Sequence, residues 1–388
     1  MRYKLVFVLL MATLLAFTGC GNEEEAEGTI AEVIIDEEPI EDIVEEIEVD
    51  EDYPYLYRVI EEREVVDGKM QSYLTGEWVD ELKANRRPIA VAIPNQKSCL
   101  PHYGITNAGI IYQVPLRDNL TRLVCLFEDF DDLDRVGPVR SIRDYMVYDA
   151  LEHNAIVCHW GSAVYANDLL NSEMVDNISQ GTAGIAVPTG IAFDRYNRPG
   201  KNSTDSAYMF IEGLMKGVEK RGYTWDYEDV FEPKFLFAQD DVVADYADAD
   251  SATKIWPGEK GNYNTVGAYF EYDETTGLYD YYEYGEKLYD EHSDTTLQVS
   301  NVILQVCYGE ERDANGYLIM EMHGPMTGDG TMYYFTQGKV IEGTWERING
   351  DEKPTKYYDK DGNEIVLNQG KTFVCQIWHK WADYIRFE

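Results

Sequence analysis

Basic residues are scarce in this sequence. Its 388 residues include 33 Lys or Arg against 72 Asp or Glu, which gives a formal net charge of -39. General binding to nucleic acid requires dense neutralisation of phosphates by basic side chains, so this composition argues against it. We therefore expect no nucleic-acid partner.

The six cysteines form no Cys-x-x-Cys pair, and an odd number remains once Cys20 is set aside. Cys125, Cys158 and Cys375 lie within apolar runs that are typical of strands. We expect buried thiols that pack as small hydrophobic groups. A Cys/His zinc site is the alternative, although the spacing matches no recognised zinc pattern. No motif implies a metal or an organic cofactor.

The apolar run over residues 5–17 is too short for a comfortable membrane span. Two basic residues precede it, and it ends in Phe17-Thr-Gly-Cys20. This pattern predicts a lipoprotein signal peptide over residues 1–20 with lipidation at Cys20, although leucine is commoner where Phe17 stands. Acyl chains would then anchor the mature protein to the extracytoplasmic face of a bacterial membrane. An ordinary secretory signal is the alternative.

Residues 21–57 contain 16 Asp or Glu and no Lys or Arg. With few apolar residues to build a core, this stretch is predicted to be an acidic disordered spacer. The alternative is an acidic arm that binds a basic partner or collects cations. Removing the +2 signal and the -16 spacer from the total charge leaves -25 on the remainder of the chain.

Two domains are expected beyond the spacer. Over residues 58–240, short apolar runs alternate with helical patterns, which predicts an α/β domain with a mixed sheet. One amphipathic helix is expected to run from Pro138 to about His153, because proline suits a first helical turn. Over residues 258–388, aromatic alternation and Gly-containing turns predict a β-rich, mostly antiparallel domain.

Lysine is absent between Lys97 and Lys201, and arginines gather in the first half of that stretch. They are Arg117, Arg122, Arg135, Arg140 and Arg143. In so acidic a chain, this concentration indicates a place where an anion is held.

Arg140 and Arg143 are three residues apart and are predicted to share one face of the helix that follows Pro138. A helix N-terminus and guanidinium groups together bind carboxylate or phosphate, and Arg122 on the preceding strand would complete the cluster. The alternative is internal ion pairing with the nearby acids Glu128, Asp129, Asp131, Asp132 and Asp134.

His159-Trp-Gly-Ser162 follows a predicted buried strand, where α/β sheets often place ligand sites. With an acid, His159 and Ser162 are weak candidates for acyl transfer. The chain has no Gly-x-Ser-x-Gly elbow. The alternative is a hydrogen-bonded, partly buried His159 and a Ser162 that caps a helix.

Several motifs between residue 88 and the C-terminus resemble those of the YerB-like lipoproteins, bacterial envelope proteins built from a paired domain of unknown function. The motifs are Ala90-Val-Ala-Ile-Pro-Asn95, Val136-Gly-Pro-Val-Arg-Ser-Ile-Arg143, His159-Trp-Gly-Ser162 and Gly338-Lys-Val-Ile-Glu-Gly-Thr-Trp345. The family tends to carry Pro-His-Asn where this chain has Gly200-Lys-Asn202. The resemblance implies a location in the bacterial envelope and an architecture of paired domains, but it implies no reaction.

Three hypotheses follow. The leading one is a non-enzymatic, lipid-anchored envelope protein that binds an anionic ligand, a cell-wall polymer or a partner protein. The second is a cell-wall hydrolase or transferase that uses His159 with a nearby Ser or Asp. The third is a structural adaptor whose arginines only close salt bridges. The predicted ligand-binding residues are Asn95, Arg122, Arg140, Ser141, Arg143, His159 and Asn202.

Overall fold

Short apolar runs from both halves of the chain combine into one mixed sheet of eleven strands. The computed structural model describes residues 63–180, 190–227, 231–238, 244, 246–320, 328–347 and 354–388. The predicted signal peptide, with Cys20, and the acidic spacer lie outside the described residues. The strands of this central sheet, numbered in chain order, are β1 (Ile89–Pro94), β2 (Ile110–Pro115), β3 (Thr121–Phe127), β4 (Ile156–Trp160), β5 (Asn177–Gln180), β6 (Asp250–Ser251), β7 (Asn301–Cys307), β8 (Gly328–Thr336), β9 (Lys339–Arg347), β10 (Lys356–Asp359) and β11 (Thr372–Trp378).

β11 is the last strand of this sheet in the sequence, but it lies in the middle of the sheet. The order is β6-β9-β8-β7-β11-β2-β3-β1-β4-β5, and β10 also pairs with β9. β11 is parallel to both of its neighbours, with Phe373 in register with Val302 on one side and Ile111 on the other. The predicted domain bounds, 58–240 and 258–388, stay a prediction, and in the structure the two stretches share this sheet through β11.

A second sheet of six strands packs over β11. Its strands are Lys254–Trp256, Tyr269–Asp273, Leu278–Glu283, Glu286–Lys287, Gln298–Val299 and Arg386–Phe387. Phe270 and Tyr281 on its inner face place their ring centroids 5.1 and 4.7 Å from that of Phe373. All of its strand pairs are antiparallel. The predicted fold class, an α/β half followed by a mostly antiparallel half, is confirmed.

Smaller sheets complete the described strands. They are Lys69–Gln71 with Trp78–Asp80, Arg135–Val136 with Ala207–Phe210 and Phe193–Arg195, Leu236–Phe237 with Val366–Leu367, Tyr289–Asp290 with Thr295–Thr296, and Gly309–Glu311 with Leu318–Met320. Cys99, Cys125, Cys158, Cys307 and Cys375 are all buried free thiols, as predicted for Cys125, Cys158 and Cys375.

The described α-helices are short. They are α1 (Glu81–Ala84), α2 (Asp144–Leu151), α3 (Asn167–Leu170), α4 (Ile211–Arg221) and α5 (Gly261–Val266). No helix in the described part of the chain has both the length and the apolar character needed to cross a membrane.

The predicted start of α2 at Pro138 was wrong, because the helix begins at Asp144. The preceding residues instead add to the ends of β1 and β4. The Arg140 N–H donates to the Ala92 carbonyl at 2.8 Å, and its own carbonyl accepts from the Trp160 N–H at 3.1 Å. These backbone bonds to distant strands replace the local bonds that a helix would make.

A buried ion cluster joins the end of α2 to the C-terminal half. Glu152 lies directly after α2, and its Oε1 accepts from Arg347 Nη1 at 3.0 Å and from Thr355 Oγ1 at 2.5 Å. Its Oε2 pairs with Lys234 Nζ. The three charged side chains are at most 1% exposed. Each charge is therefore stabilised chiefly by its partners rather than by water.

We expect Glu152→Ala to destabilise the fold strongly. The change leaves Lys234 and Arg347 buried without their carboxylate, and removing one partner of a buried pair typically costs about 3–5 kcal/mol. Urea denaturation would measure this loss. The matched control is Glu212→Ala, which breaks an exposed pair with Lys216 and should leave the unfolding midpoint nearly unchanged. Equal losses of stability in the two variants would contradict the expectation that the buried ion cluster stabilises the fold.

Glu283 is a buried carboxyl group where the second sheet meets the end of β1. Tyr281 Oη donates to its Oε2 at 3.4 Å, and its Oε1 has no hydrogen-bond partner among the described residues. Glu283 is 2% exposed and pairs with no cation among the described residues. Burial raises the pKa of Glu283 to about 8. The group is therefore largely protonated at neutral pH.

Glu283→Gln should change the pH dependence of stability in a defined direction. The folded wild type holds this proton up to about pH 8, whereas the unfolded chain releases it near 4.5. Stability is therefore lost as the pH rises through this window, by at most about 1.4 kcal/mol per pH unit. Glutamine is neutral and keeps a donor, so the variant should gain stability relative to wild type between pH 5 and about 8. Parallel curves of unfolding free energy against pH would contradict this.

Candidate functional site

Three of the predicted arginines, Arg122, Arg140 and Arg143, lie together at one end of strands β1, β3 and β4 of the central sheet, hereafter the arginine edge. Arg122 lies near the start of β3, opposite Pro94 at the end of β1. Arg140 and Arg143 lie in the extended segment that joins the ends of β1 and β4. Antiparallel pairing of β1 with β3 brings the beginning of one strand to the end of the other. The predicted gathering of these residues is thus present, although by a different local structure.

Arg122 and Arg143 both donate to the carbonyl oxygen of Ser141. Arg143 also donates to the Ile142 carbonyl at 3.1 Å. Arg122 is 8% exposed, and its buried Nε has no hydrogen-bond partner. Burial, followed by the charges of Arg143 and Arg140, lowers the pKa of Arg122 to about 9. Within the described ranges, neither Arg122 nor Arg143 has a carboxylate partner.

Arg140 differs, because its Nη2 lies 2.6 Å from Oδ1 of the buried Asp205. The Cys99 thiol donates to the same oxygen at 3.2 Å. Burial acts to raise the pKa of Asp205, but hydrogen bonds with Cys99 and Ser98 and the charge of Arg140 bring it below its usual value. Arg140 is therefore bound to a carboxylate that sequence reasoning missed, 65 residues away.

Four of the five acids proposed as alternative partners contact other groups. Asp129 pairs with Lys83, Asp131 with Arg86 and Asp134 with Arg135. Glu128 accepts from Ser72 Oγ at 2.5 Å. None of the described ion pairs joins Glu128–Asp134 to Arg122, Arg140 or Arg143. The acids that are close in sequence therefore do not neutralise these three arginines by ion pairs among the described residues.

The N-terminus of α2 lies at the arginine edge. Arg143 occupies its N-cap position in an extended conformation, and no side chain caps the helix by a hydrogen bond. The first N–H groups of a helix lack internal acceptors and carry partial positive charge. Asp144 is the acid in this first turn. A helix start that the Arg143 side chain does not cap, and two arginines without a carboxylate partner in the described ranges, together form the candidate site.

His159 and Ser162 each hydrogen-bond to a group other than the other residue. His159 is fully buried, and its Nδ1 lies 2.8 Å from the Gly161 carbonyl, to which it donates. Burial lowers the pKa of His159 to about 4. Ser162 Oγ donates to Asn167 Oδ1 at 2.6 Å. The hypothesis of acyl transfer therefore gains no support from this geometry.

The remaining predicted ligand residues have structural contacts. Asn95 is buried, and its Nδ2 donates to Thr121 Oγ1 at 2.9 Å. Asn202 caps a 3-10 turn by accepting from the Asp205 N–H at 3.0 Å. Ser141 contributes its carbonyl to the arginines, while its hydroxyl donates to the Trp160 carbonyl at 3.3 Å. Their predicted role in binding stays a prediction.

Metal chemistry has no visible basis in the part of the chain that the structure describes. There, no group of three or more His, Cys, Asp or Glu side chains is placed to hold a metal ion. The donors at the arginine edge are cationic or amide groups, which suit an anion rather than a cation.

Comparisons with known proteins match both halves of the chain. Residues 74–224 match the N-terminal domain of "Protein of unknown function (DUF3048)", and residues 260–374 match its C-terminal domain. YerB of Bacillus subtilis (strain 168), a candidate lipoprotein, is 25% identical over 313 residues, which are 79% of this chain and 86% of that protein.

The fold also matches a solved structure. The crystal structure of YerB from Bacillus subtilis has a TM-score of 0.66 at 21% identity, over 82% of this chain and 99% of that one. The resemblance to the YerB-like lipoproteins is thereby confirmed. With both domains present in the same order, the chain belongs to the DUF3048 family.

Proposed function

We propose that this protein is a non-enzymatic, lipid-anchored component of a bacterial envelope. It binds an anionic envelope ligand or partner through the face that carries Arg122, Arg140 and Arg143. The observation that carries the proposal is the pair of guanidinium groups, on Arg122 and Arg143, that have no carboxylate partner among the described residues. It occurs in a chain with 72 acidic residues and 33 basic ones.

Burial makes the unpaired charge on Arg122 significant. Removing a charged group from water costs free energy unless the group is paired or fully hydrogen-bonded. Arg122 has a carbonyl partner and an unpartnered Nε, with two further arginines close enough to lower its pKa. A bound anion would supply the missing negative charge and the missing acceptor.

The donor set favours phosphate or carboxylate. Guanidinium forks make paired hydrogen bonds with either group, and helix N–H groups at the start of α2 add further donors. In an envelope, such groups occur on lipid headgroups, on cell-wall polymers and on acidic protein surfaces. The chemistry of the site is common to all three.

Two observations support the anchor. Residues 1–20 have the basic start, apolar run and terminal cysteine of a lipoprotein signal. The relative from Bacillus subtilis is named as a candidate lipoprotein. Lipidation at Cys20 would place the folded part of the chain on the extracytoplasmic side of the membrane.

Inorganic phosphate should raise the thermal unfolding midpoint of the full-length protein in detergent. A ligand that binds only the folded state stabilises it by about 2.7 kcal/mol at a hundredfold excess over Kd. Arg143→Ala should remove most of this shift, because one of the two arginines without a carboxylate partner is lost. A full shift in Arg143→Ala would contradict the proposal, as would the lack of any shift with phosphate, citrate and acidic polymers.

Two control variants make this measurement specific. Arg386→Ala removes an arginine of the second sheet that pairs with Glu259 and Glu388, and it should keep the phosphate shift. Arg140→Ala leaves the buried Asp205 without its cation, so it should lower the midpoint even in the absence of phosphate. Arg143→Ala should not, because it breaks no ion pair among the described residues.

Cys20→Ser should abolish labelling of the protein by an alkyne fatty acid in growing bacteria. The thiol is the atom that lipidation modifies, and a hydroxyl does not replace it. Cys158→Ala serves as the control and should keep the label, because that thiol is buried inside β4. Gel fluorescence of the captured protein reports both results. Label retained in Cys20→Ser would overturn the predicted anchor.

A further inference from the structure

A turn from the C-terminal half contacts the arginine edge. It comprises residues 312–317 and joins the two strands of the hairpin Gly309–Glu311 and Leu318–Met320. The Arg312 N–H donates to the Tyr317 carbonyl at 2.6 Å, which closes the turn. Leu318 and Met320 are buried in the core beneath it. The hairpin therefore presents this turn, hereafter the 312–317 turn, from a packed base.

Two arginine side chains of the N-terminal half lie close to the Tyr317 ring. The Cζ of Arg117 is 5.1 Å from the ring centroid, and the Cζ of Arg143 is 5.5 Å from it. Both distances are within the range of a cation–π contact. The ring thus restricts Arg143, whose hydrogen bonds within the described ranges go to the Ser141 and Ile142 carbonyls.

Arg312 acts on the same site through Asp144. Its Nη2 lies 2.7 Å from Asp144 Oδ2, and the two side chains are 20% and 17% exposed. An acid in the first turn of a helix is attracted to the positive N-terminus and would compete there with a bound anion. Pairing with Arg312 neutralises this carboxylate and holds it.

The turn is fastened to the N-terminal half by further contacts. Tyr165 Oη donates to Asp313 Oδ2 at 2.8 Å, and Arg117 Nη1 donates to the Asn315 carbonyl at 3.4 Å. The rings of Tyr165 and Tyr317 are 5.7 Å apart in an edge-on arrangement. Contacts from several different residues therefore hold the turn beside α2.

We propose that the 312–317 turn is part of the anion site, with Tyr317 and Arg312 as positioning residues. Tyr317 holds Arg143 in place for the ligand, and Arg312 removes the competing charge of Asp144. The ligand is a small oxyanion group such as a phosphate, and its affinity depends on both halves of the chain. This inference rests on the proposed function, because it names the residues that complete the same site.

The test is calorimetric titration of the full-length protein in detergent with inorganic phosphate. Tyr317→Leu should weaken binding about threefold to tenfold, because the ring contacts of two arginines are lost. Tyr317→Phe keeps the ring and should bind as wild type does. Tyr308→Leu is the matched control, since that exposed tyrosine stacks on His379 and contacts none of these arginines among the described residues. It should leave the affinity unchanged.

A second arm tests the role of Arg312. Arg312→Ala should weaken phosphate binding, because the Asp144 carboxylate becomes free at the start of α2. Adding Asp144→Asn to Arg312→Ala should restore the affinity, since the competing charge is then removed. A merely structural pair would not be rescued in this way.

The possible results distinguish a failure of this inference from a failure of the proposed function. Phosphate binding that is lost in Arg143→Ala but unchanged in Tyr317→Leu would overturn the role of the turn and leave the anion site standing. A failure of Asp144→Asn to rescue Arg312→Ala would overturn the role of Arg312. No phosphate binding by the wild type would overturn the anion site itself, and the inference with it.

Discussion

The parallel pairing of β11 with β7 and β2 is the constraint on which the rest of the structure depends. A parallel neighbour cannot be reached by a tight hairpin, so the chain must return from a distance to make these pairs. Side chains of β11 alternate between two cores, with Phe373 packed under the second sheet and Val374 on the opposite face. The strand therefore contributes apolar side chains to the cores on both faces of the sheet.

The position of the arginine edge follows from the same arrangement. Trp378 at the end of β11 donates from its indole Nε1 to the Gly309 carbonyl at 2.7 Å, where the hairpin begins that carries the 312–317 turn. The sheet thus brings a turn from one half beside the start of α2 from the other. Residues far apart in the sequence contribute to one site because the central sheet fixes both in place.

Charge is compensated differently in the interior of the protein and at the arginine edge. Buried Glu152 and Asp205 are matched by cations, and burial raises the pKa of Glu283 to about 8, which keeps that carboxyl largely neutral at neutral pH. Arg122 and Arg143, by contrast, have no carboxylate partner in the part of the chain that the structure describes. Coulomb interactions strengthen where water is excluded, so a bound anion would interact most strongly with the buried Arg122. The fold therefore brings these arginines together in a chain whose formal net charge is -39.

The sequence alone determined the fold class and the presence of short apolar strands, because short apolar runs carry that information. Local spacing also predicted that Arg122, Arg140 and Arg143 lie close together. It also carried the motifs that identify the DUF3048 family. Tertiary structure decided where α2 begins, since the backbone of Arg140 bonds to strands β1 and β4 rather than to its own neighbours. It likewise decided that Asp205 is the partner of Arg140 and that Tyr317 adjoins Arg143. Such pairings join residues separated by 65 and 174 positions, and no local pattern encodes a contact that only the assembled sheet creates.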